Sequence, residues 1–214
     1  MGKDNCIVYY EPKEERLNIW THGIGFLLSL IGFVLLVIRS VALGDMLHLV
    51  CFQVFGLSLI LLYFASTIYH KSTKPSWRTR LNIFDHVSIF LLVGGSYTPI
   101  TLITLNGSLG WTMFGFIWSA VAIGVVLKIF FTGKYKILST LMYVGLGWAI
   151  VFVYETITVR LAPVGLLWLL AGGVLYTIGA LLYCLPCIKY NHAIFHLFVL
   201  FGSVCHFLMF YFYV

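Results

Sequence analysis

Two histidines four residues apart, His192 and His196, open the last apolar stretch of the chain. On an α-helix that spacing stacks both side chains on one face, one turn above the other. A His-x-x-x-His face is a bidentate platform for zinc, and a third histidine from a neighbouring helix completes a three-ligand site. His70 is the candidate third ligand. It ends the second apolar stretch four residues after Ser66, so those two also share a face. Three neutral nitrogens with a fourth position open to water form the arrangement of a catalytic zinc centre. There the metal lowers the pKa of water towards ~7 and polarises a bound carbonyl. Asp85 opens the third apolar stretch. A carboxylate so placed is costly and is expected to have a partner. It can act as a general base towards the metal's water or orient a ligand histidine. Ser66 can hydrogen-bond that water or a substrate oxygen. The sequence does not divide these roles among Asp85, His86 and Ser66.

The elements that must position these groups are membrane helices. Of 214 residues, 61% are hydrophobic and 9% charged, where soluble domains carry roughly 25% charged residues. The apolar residues fall in runs long enough to cross a hydrocarbon core of ~30 Å as helices, and too continuous for the alternating strands of an outer-membrane barrel. The breaks between runs predict seven helices over 18–40, 46–70, 82–104, 108–131, 136–158, 163–186 and 190–213. The expected fold is an all-α integral membrane bundle, residues 18–214, preceded by a short polar segment, 1–17. No signal peptide, internal repeat or linker is apparent.

Orientation follows from the 13 Lys and Arg residues. Lys3, Lys13, Arg16, Lys71, Lys74, Arg78, Arg80, Lys128, Lys134, Lys136 and Lys189 fall on the side of the N-terminus, whereas Arg39 and Arg160 fall on the other. This asymmetry predicts a cytoplasmic N-terminus and an outside C-terminus, and headgroups rather than nucleic acid account for the positive charge. With this topology the helix ends bearing Ser66 and His70, Asp85 and His86, and His192 and His196 all lie at one cytoplasmic level. Asn18, Thr21 and His22 of the first helix join them there.

Other features carry less. His22, His48 and His86, taken singly, read as interfacial residues. His206 lies ten residues beyond His196, ~15 Å along the helix, too far to share its metal, and reads as structural or cavity-lining. Glu155 and Arg160 read as an ion pair or as interfacial. The Gly94-Gly95-Ser96-Tyr97-Thr98-Pro99 stretch should loosen the third helix and allow close packing. Cys6, Cys51, Cys184, Cys187 and Cys205 form no disulfide framework, and Cys184-Leu-Pro-Cys187 reads as structural.

Taken together, Glu15-x-x-Asn18-x-x-Thr21-His22, Ser66-x-x-x-His70, Asp85 and His192-x-x-x-His196 resemble the hemolysin III branch of the progestin and adipoQ receptor (PAQR) family. The resemblance covers nearly the whole chain, including His206. It implies seven helices with a cytoplasmic N-terminus, a zinc ion on His70, His192 and His196, and Asp85 and Ser66 beside its water. Adiponectin-receptor members are similar to ceramidases, and a wider superfamily of intramembrane hydrolases shares the Ser, Asp and His pattern. Bacterial members are described as hemolysin III or as membrane-homeostasis proteins. The long N-terminal extension of the receptors is missing, so hormone-receptor activity is not expected.

Together these readings lead to a zinc-dependent intramembrane hydrolase of a lipid amide or ester, serving lipid homeostasis as a multi-pass protein of a bacterial plasma membrane. The alternative is a pore-forming cytolysin or a zinc-stabilised, receptor-like sensor. A proton-coupled transporter is less favoured, because its polar groups would lie near the midplane. The bilayer and a membrane lipid are the expected partners, with no nucleic acid; oligomeric state is left open.

Overall fold

A computed structural model describes residues 8–185 and 187–214; Lys3, Cys6 and the proline of Cys184-Leu-Pro-Cys187 lie outside them. The described residues form helices and no strand. Seven helices are long and apolar enough to span a membrane: α1 (Pro12–Leu43), α2 (Met46–Lys71), α3 (Pro75–Leu105), α4 (Gly107–Phe131), α5 (Ile137–Arg160), α6 (Pro163–Tyr183) and α7 (Asn191–Tyr213). Helices α1 and α3 begin earlier than the apolar stretches at 18 and 82. Each starts on a proline, whose fixed φ and missing N–H suit the first helical position. Their polar first turns therefore continue the helix out of the apolar stretch.

In α1 the usual amphipathic logic is inverted. Its inward stripe is Glu14, Asn18, His22, Gly25, Ser29, Gly32, Leu36 and Ser40, whereas Trp20, Leu27, Ile31 and Ile38 face outwards. Lipid solvates apolar side chains as well as a protein core does, so small and polar residues turn inwards, where they pack closely and find partners. The most enclosed helices are α2, α3 and α7. Phe52, Phe55, Tyr63, Phe90 and Phe210 fill the space among them. These are also the helices that carry the histidines and aspartate singled out above.

Two helices are irregular within the bundle. The glycine stretch of α3 allows close packing: a Cβ on Gly95 would lie 2.2 Å from Ser58 Oγ. The loosening comes after Pro99, where Ile100–Leu105 widens into a π-helical turn, because proline supplies no N–H to the preceding turn. Midway along α5, Trp148–Val153 tightens into a 3₁₀ turn. The Tyr97 hydroxyl sits in that break, donating to the Gly147 carbonyl at 2.8 Å and accepting the Ile150 N–H at 2.9 Å. At the far end, Arg160 donates to the Leu105 carbonyl and ties the end of α5 to the end of α3, while Glu155 is exposed.

Candidate metal centre

The end of α2 supplies His70 and the first turns of α7 supply His192 and His196. One ring nitrogen from each lies within 4.8 Å of the other two, and all three residues are buried. His70 Nε2 and His192 Nε2 are 3.1 Å apart.

The neighbours define which nitrogens are available. Glu15 Oε2 accepts the Nδ1–H of His70 at 2.7 Å. Thr21 Oγ1 already donates to the Leu17 carbonyl at 2.8 Å, so it accepts from His196 Nδ1 at 3.3 Å. A neutral imidazole carries its proton on one nitrogen, so both contacts leave the Nε2 lone pair for a cation. A carboxylate or hydroxyl behind a ligand histidine is the usual second layer of a metal site. At 3.1 Å the two Nε2 atoms are held together either by a proton on His192 or by a cation that both ligate. Tetrahedral zinc with Zn–N bonds of ~2.0–2.1 Å separates its ligand nitrogens by about 3.3 Å. Three buried imidazoles at this separation are a donor set that suits zinc.

The first turn of α1 holds this cluster in place. Glu14 Oε1 accepts the backbone N–H of His192 at 3.3 Å, capping the start of α7 from another helix. The Tyr10 ring stacks on His192 with centroids 4.6 Å apart. Burial pushes the Tyr10 phenol well above its usual range, so it stays neutral beside the cluster. Arg78, from the first turn of α3, fixes the whole assembly. It donates to Glu15, to the Val8 carbonyl at 2.9 Å and to the Ser72 carbonyl at 2.9 Å, between the rings of Tyr9 and Tyr69. Residues 8–11 thus lie as a strap across this end of the bundle.

Ser66 and Asp85 are buried and line one mostly apolar cavity with His192 and His196. Ser66 Oγ lies beside the Asp85 carboxyl without good hydrogen-bonding geometry. The cation facing Asp85 is Lys128 of α4, itself buried, with its ammonium 5.6 Å from the Tyr143 ring centre.

Several sequence expectations change here. Arg78 and Lys128, counted among interfacial cations, are buried in the protein: Arg78 pairs with Glu15 between two tyrosine rings, and Lys128 has the Tyr143 ring beside it and the Asp85 charge nearby. His22 is not interfacial: it stacks on His196 with centroids 3.5 Å apart, and neither of its ring nitrogens reaches a hydrogen-bond partner. His86 lines the cavity and donates from Nδ1 to the Asn82 carbonyl at 2.8 Å. His48 lies at the opposite end, 2.5 Å from Asp45. That hydrogen bond, with the Leu47 N–H, holds the Asp45 carboxyl below its usual range. His206 lines the far part of the same cavity. Sequence reasoning gave Glu15 no role of its own. The signal was its spacing to Asn18 and His22, which puts a carboxylate on the face that meets the trio.

The Glu15 contact carries a prediction. With zinc as the ion on the trio, Glu15→Gln should bind it 10- to 100-fold more weakly, the usual cost of a lost carboxylate behind a ligand histidine. Competition against a calibrated chelator measures this, and unchanged affinity would remove Glu15 from the centre.

Fold and site together define a seven-helix integral membrane protein with a buried three-histidine group at one end. More narrowly, the chain belongs to the haemolysin-III related family, whose pattern matches residues 10–207. It is 42% identical to Hemolysin-3 of Bacillus cereus over 202 residues, 94% of this chain and 92% of that one. It is 40% identical to the Hemolysin-3 homolog of Bacillus subtilis (strain 168), with 94% of each chain covered. The human monocyte to macrophage differentiation factor is 27% identical over 92% of this chain and 84% of its own. No solved structure matches.

Proposed function

We propose that this protein is a zinc-dependent hydrolase of a lipid amide or ester, seated in a bacterial plasma membrane with its N-terminus cytoplasmic and serving lipid homeostasis. The observation that carries this reading is that His192 and His196, with Asp85 and Ser66, open onto one apolar cavity inside the bundle. His70, His192 and His196 would hold the zinc, which when bound supplies a Lewis acid for a carbonyl and for water. The remaining chemistry belongs to the chain. Asp85 accepts the proton of the attacking water and returns it to the nitrogen or oxygen that leaves the acyl carbon. Ser66 Oγ–H donates to the carbonyl oxygen as negative charge develops there. Lys128 balances the charge on Asp85, and the apolar walls limit how much water reaches the acyl chain.

The test uses purified, zinc-loaded protein, a panel of ceramides and ester lipids, and mass-spectrometric detection of the released fatty acid. Asp85→Asn should keep its zinc and lose turnover by about 10²- to 10⁴-fold, the range for a general base. Undiminished turnover in that variant would sink the mechanism.

The name of the Bacillus cereus relative, Hemolysin-3, favours a second reading, a membrane-lytic protein. Dye release from liposomes that is indifferent to Asp85→Asn, with no lipid product formed, would favour it over the hydrolase.

A further inference from the structure

The cavity lined by His192 and His196 also reaches a second polar place, and the centre described above has no use for it. His206 lies ten residues further along α7 than His196, about 15 Å at the rise of an α-helix. It is buried and lines the same cavity as Ser66, Asp85 and His196. The helices are built around its ring: a Cβ on Gly172 of α6 would come within 2.3 Å of its Cδ2.

The protonation of this ring follows from its contacts. His206 Nε2 lies 3.4 Å from the Leu169 carbonyl. A carbonyl only accepts, so Nε2 carries the hydrogen, and Nδ1 of the neutral ring is a bare acceptor. That Nδ1 is buried with no hydrogen-bond partner. A buried acceptor left so costs about 1–3 kcal/mol unless a ligand or water satisfies it.

A chain of hydroxyls lies near this ring. The Tyr63 hydroxyl donates to Ser203 Oγ at 2.8 Å. Ser203 then has its own hydrogen to place, and the Tyr176 hydroxyl lies 2.9 Å away. The Tyr63 hydroxyl also reaches the Val199 carbonyl at 3.4 Å, and either hydroxyl of the Ser203–Tyr176 pair can donate; when Ser203 donates to Tyr176, the Tyr176 hydrogen is left for a ligand. Tyr176 also lines the cavity, with its ring centre 5.3 Å from that of His206. His206 Nδ1, an acceptor, and the Tyr176 hydroxyl, which can donate, match an alcohol, which both donates and accepts.

We propose that His206 and Tyr176 form a binding site for a hydroxyl group carried within a lipid chain, about 15 Å from the carbonyl held at the histidine trio. The proposal rests on the reading of the cavity as a lipid site and adds which lipids it prefers. A chain with a mid-chain hydroxyl satisfies both groups. A plain chain leaves Nδ1 of His206 unpaired, and sites built for a hydroxyl discriminate on that ground.

Zinc-loaded protein in lipid nanodiscs, titrated with stearic acid and with a hydroxystearic acid hydroxylated mid-chain, tests this by binding alone. Wild type should bind the hydroxylated acid about tenfold more tightly. His206→Phe, which keeps the ring volume and loses the acceptor, should bring the ratio near unity while zinc content is retained, and Tyr176→Phe should reduce it. Equal affinities in wild type, or a preference that survives His206→Phe, would overturn the site and leave a cavity water as the partner of Nδ1. If neither acid binds, the lipid reading of the cavity falls with it. If discrimination is found but no lipid is hydrolysed, the site stands and the hydrolase does not.

Discussion

Replacing His192 and His196 together by alanine should reduce the zinc content of the purified protein from about one ion per chain to background. The expectation follows from how binding energy is shared among ligands. Apparent zinc affinities of structural sites at neutral pH are about 10–16 kcal/mol. Shared over three histidines, even the low end is ~3 kcal/mol per ligand, so losing two costs ~6 kcal/mol and more than a ten-thousandfold in affinity. The fold should survive. Alanine favours helix, and the cap from Glu14 is made to the backbone N–H of His192, which the substitution leaves in place. Metal analysis beside circular dichroism separates the outcomes: zinc retained near one per chain would place the metal elsewhere, and loss of helicity would make the variant uninformative beside single His192→Ala and His196→Ala proteins. Those single variants should retain zinc only at reduced affinity, and full affinity in both would also remove the trio as the site.

Much of this arrangement is legible in the sequence. Hydropathy located seven spans because a bilayer of fixed thickness imposes a minimum run length on every helix. The trio was legible because ligands at i and i+4 leave a periodic trace, and because alternate spans bring the ends bearing His70 and His192 to one side. What the sequence hid was the company these residues keep. A buried Arg78 and an interfacial arginine have the same letter and the same flanking residues. The difference lies in Glu15 and Val8, far away in the chain. Lys128 fitted the positive-inside pattern equally well, although it is enclosed and faces Asp85. His22 gave no sign of its stacking on His196, because contact between α1 and α7 is set by packing of the whole bundle. The charge asymmetry that predicts topology thus includes two cations with structural work of their own.

Arg78 carries the other large expected effect. Its side chain is 2% exposed, and its guanidinium joins the strap at Val8, the end of α2 at Ser72 and the carboxylate of Glu15. Glu15 faces both ways, with Oε1 towards Arg78 and Oε2 on His70. Arg78→Met therefore leaves a carboxylate largely enclosed without its cation and also frees the ligand histidine's support. Removing one member of a buried pair costs about 3–5 kcal/mol, which for a chain of this size corresponds to a fall in unfolding midpoint on the order of 10 °C. Arg78→Lys should recover only part of this, because an ammonium cannot reach Val8, Ser72 and Glu15 at once with a planar fork. The double variant Arg78→Met/Glu15→Gln tests the cause. If the stranded charge dominates, it should be more stable than Arg78→Met alone while still binding zinc weakly, since the carboxylate behind His70 is gone. If instead the two losses simply add, Arg78 acts through its carbonyl contacts, and the strap rather than the ion pair supports the centre.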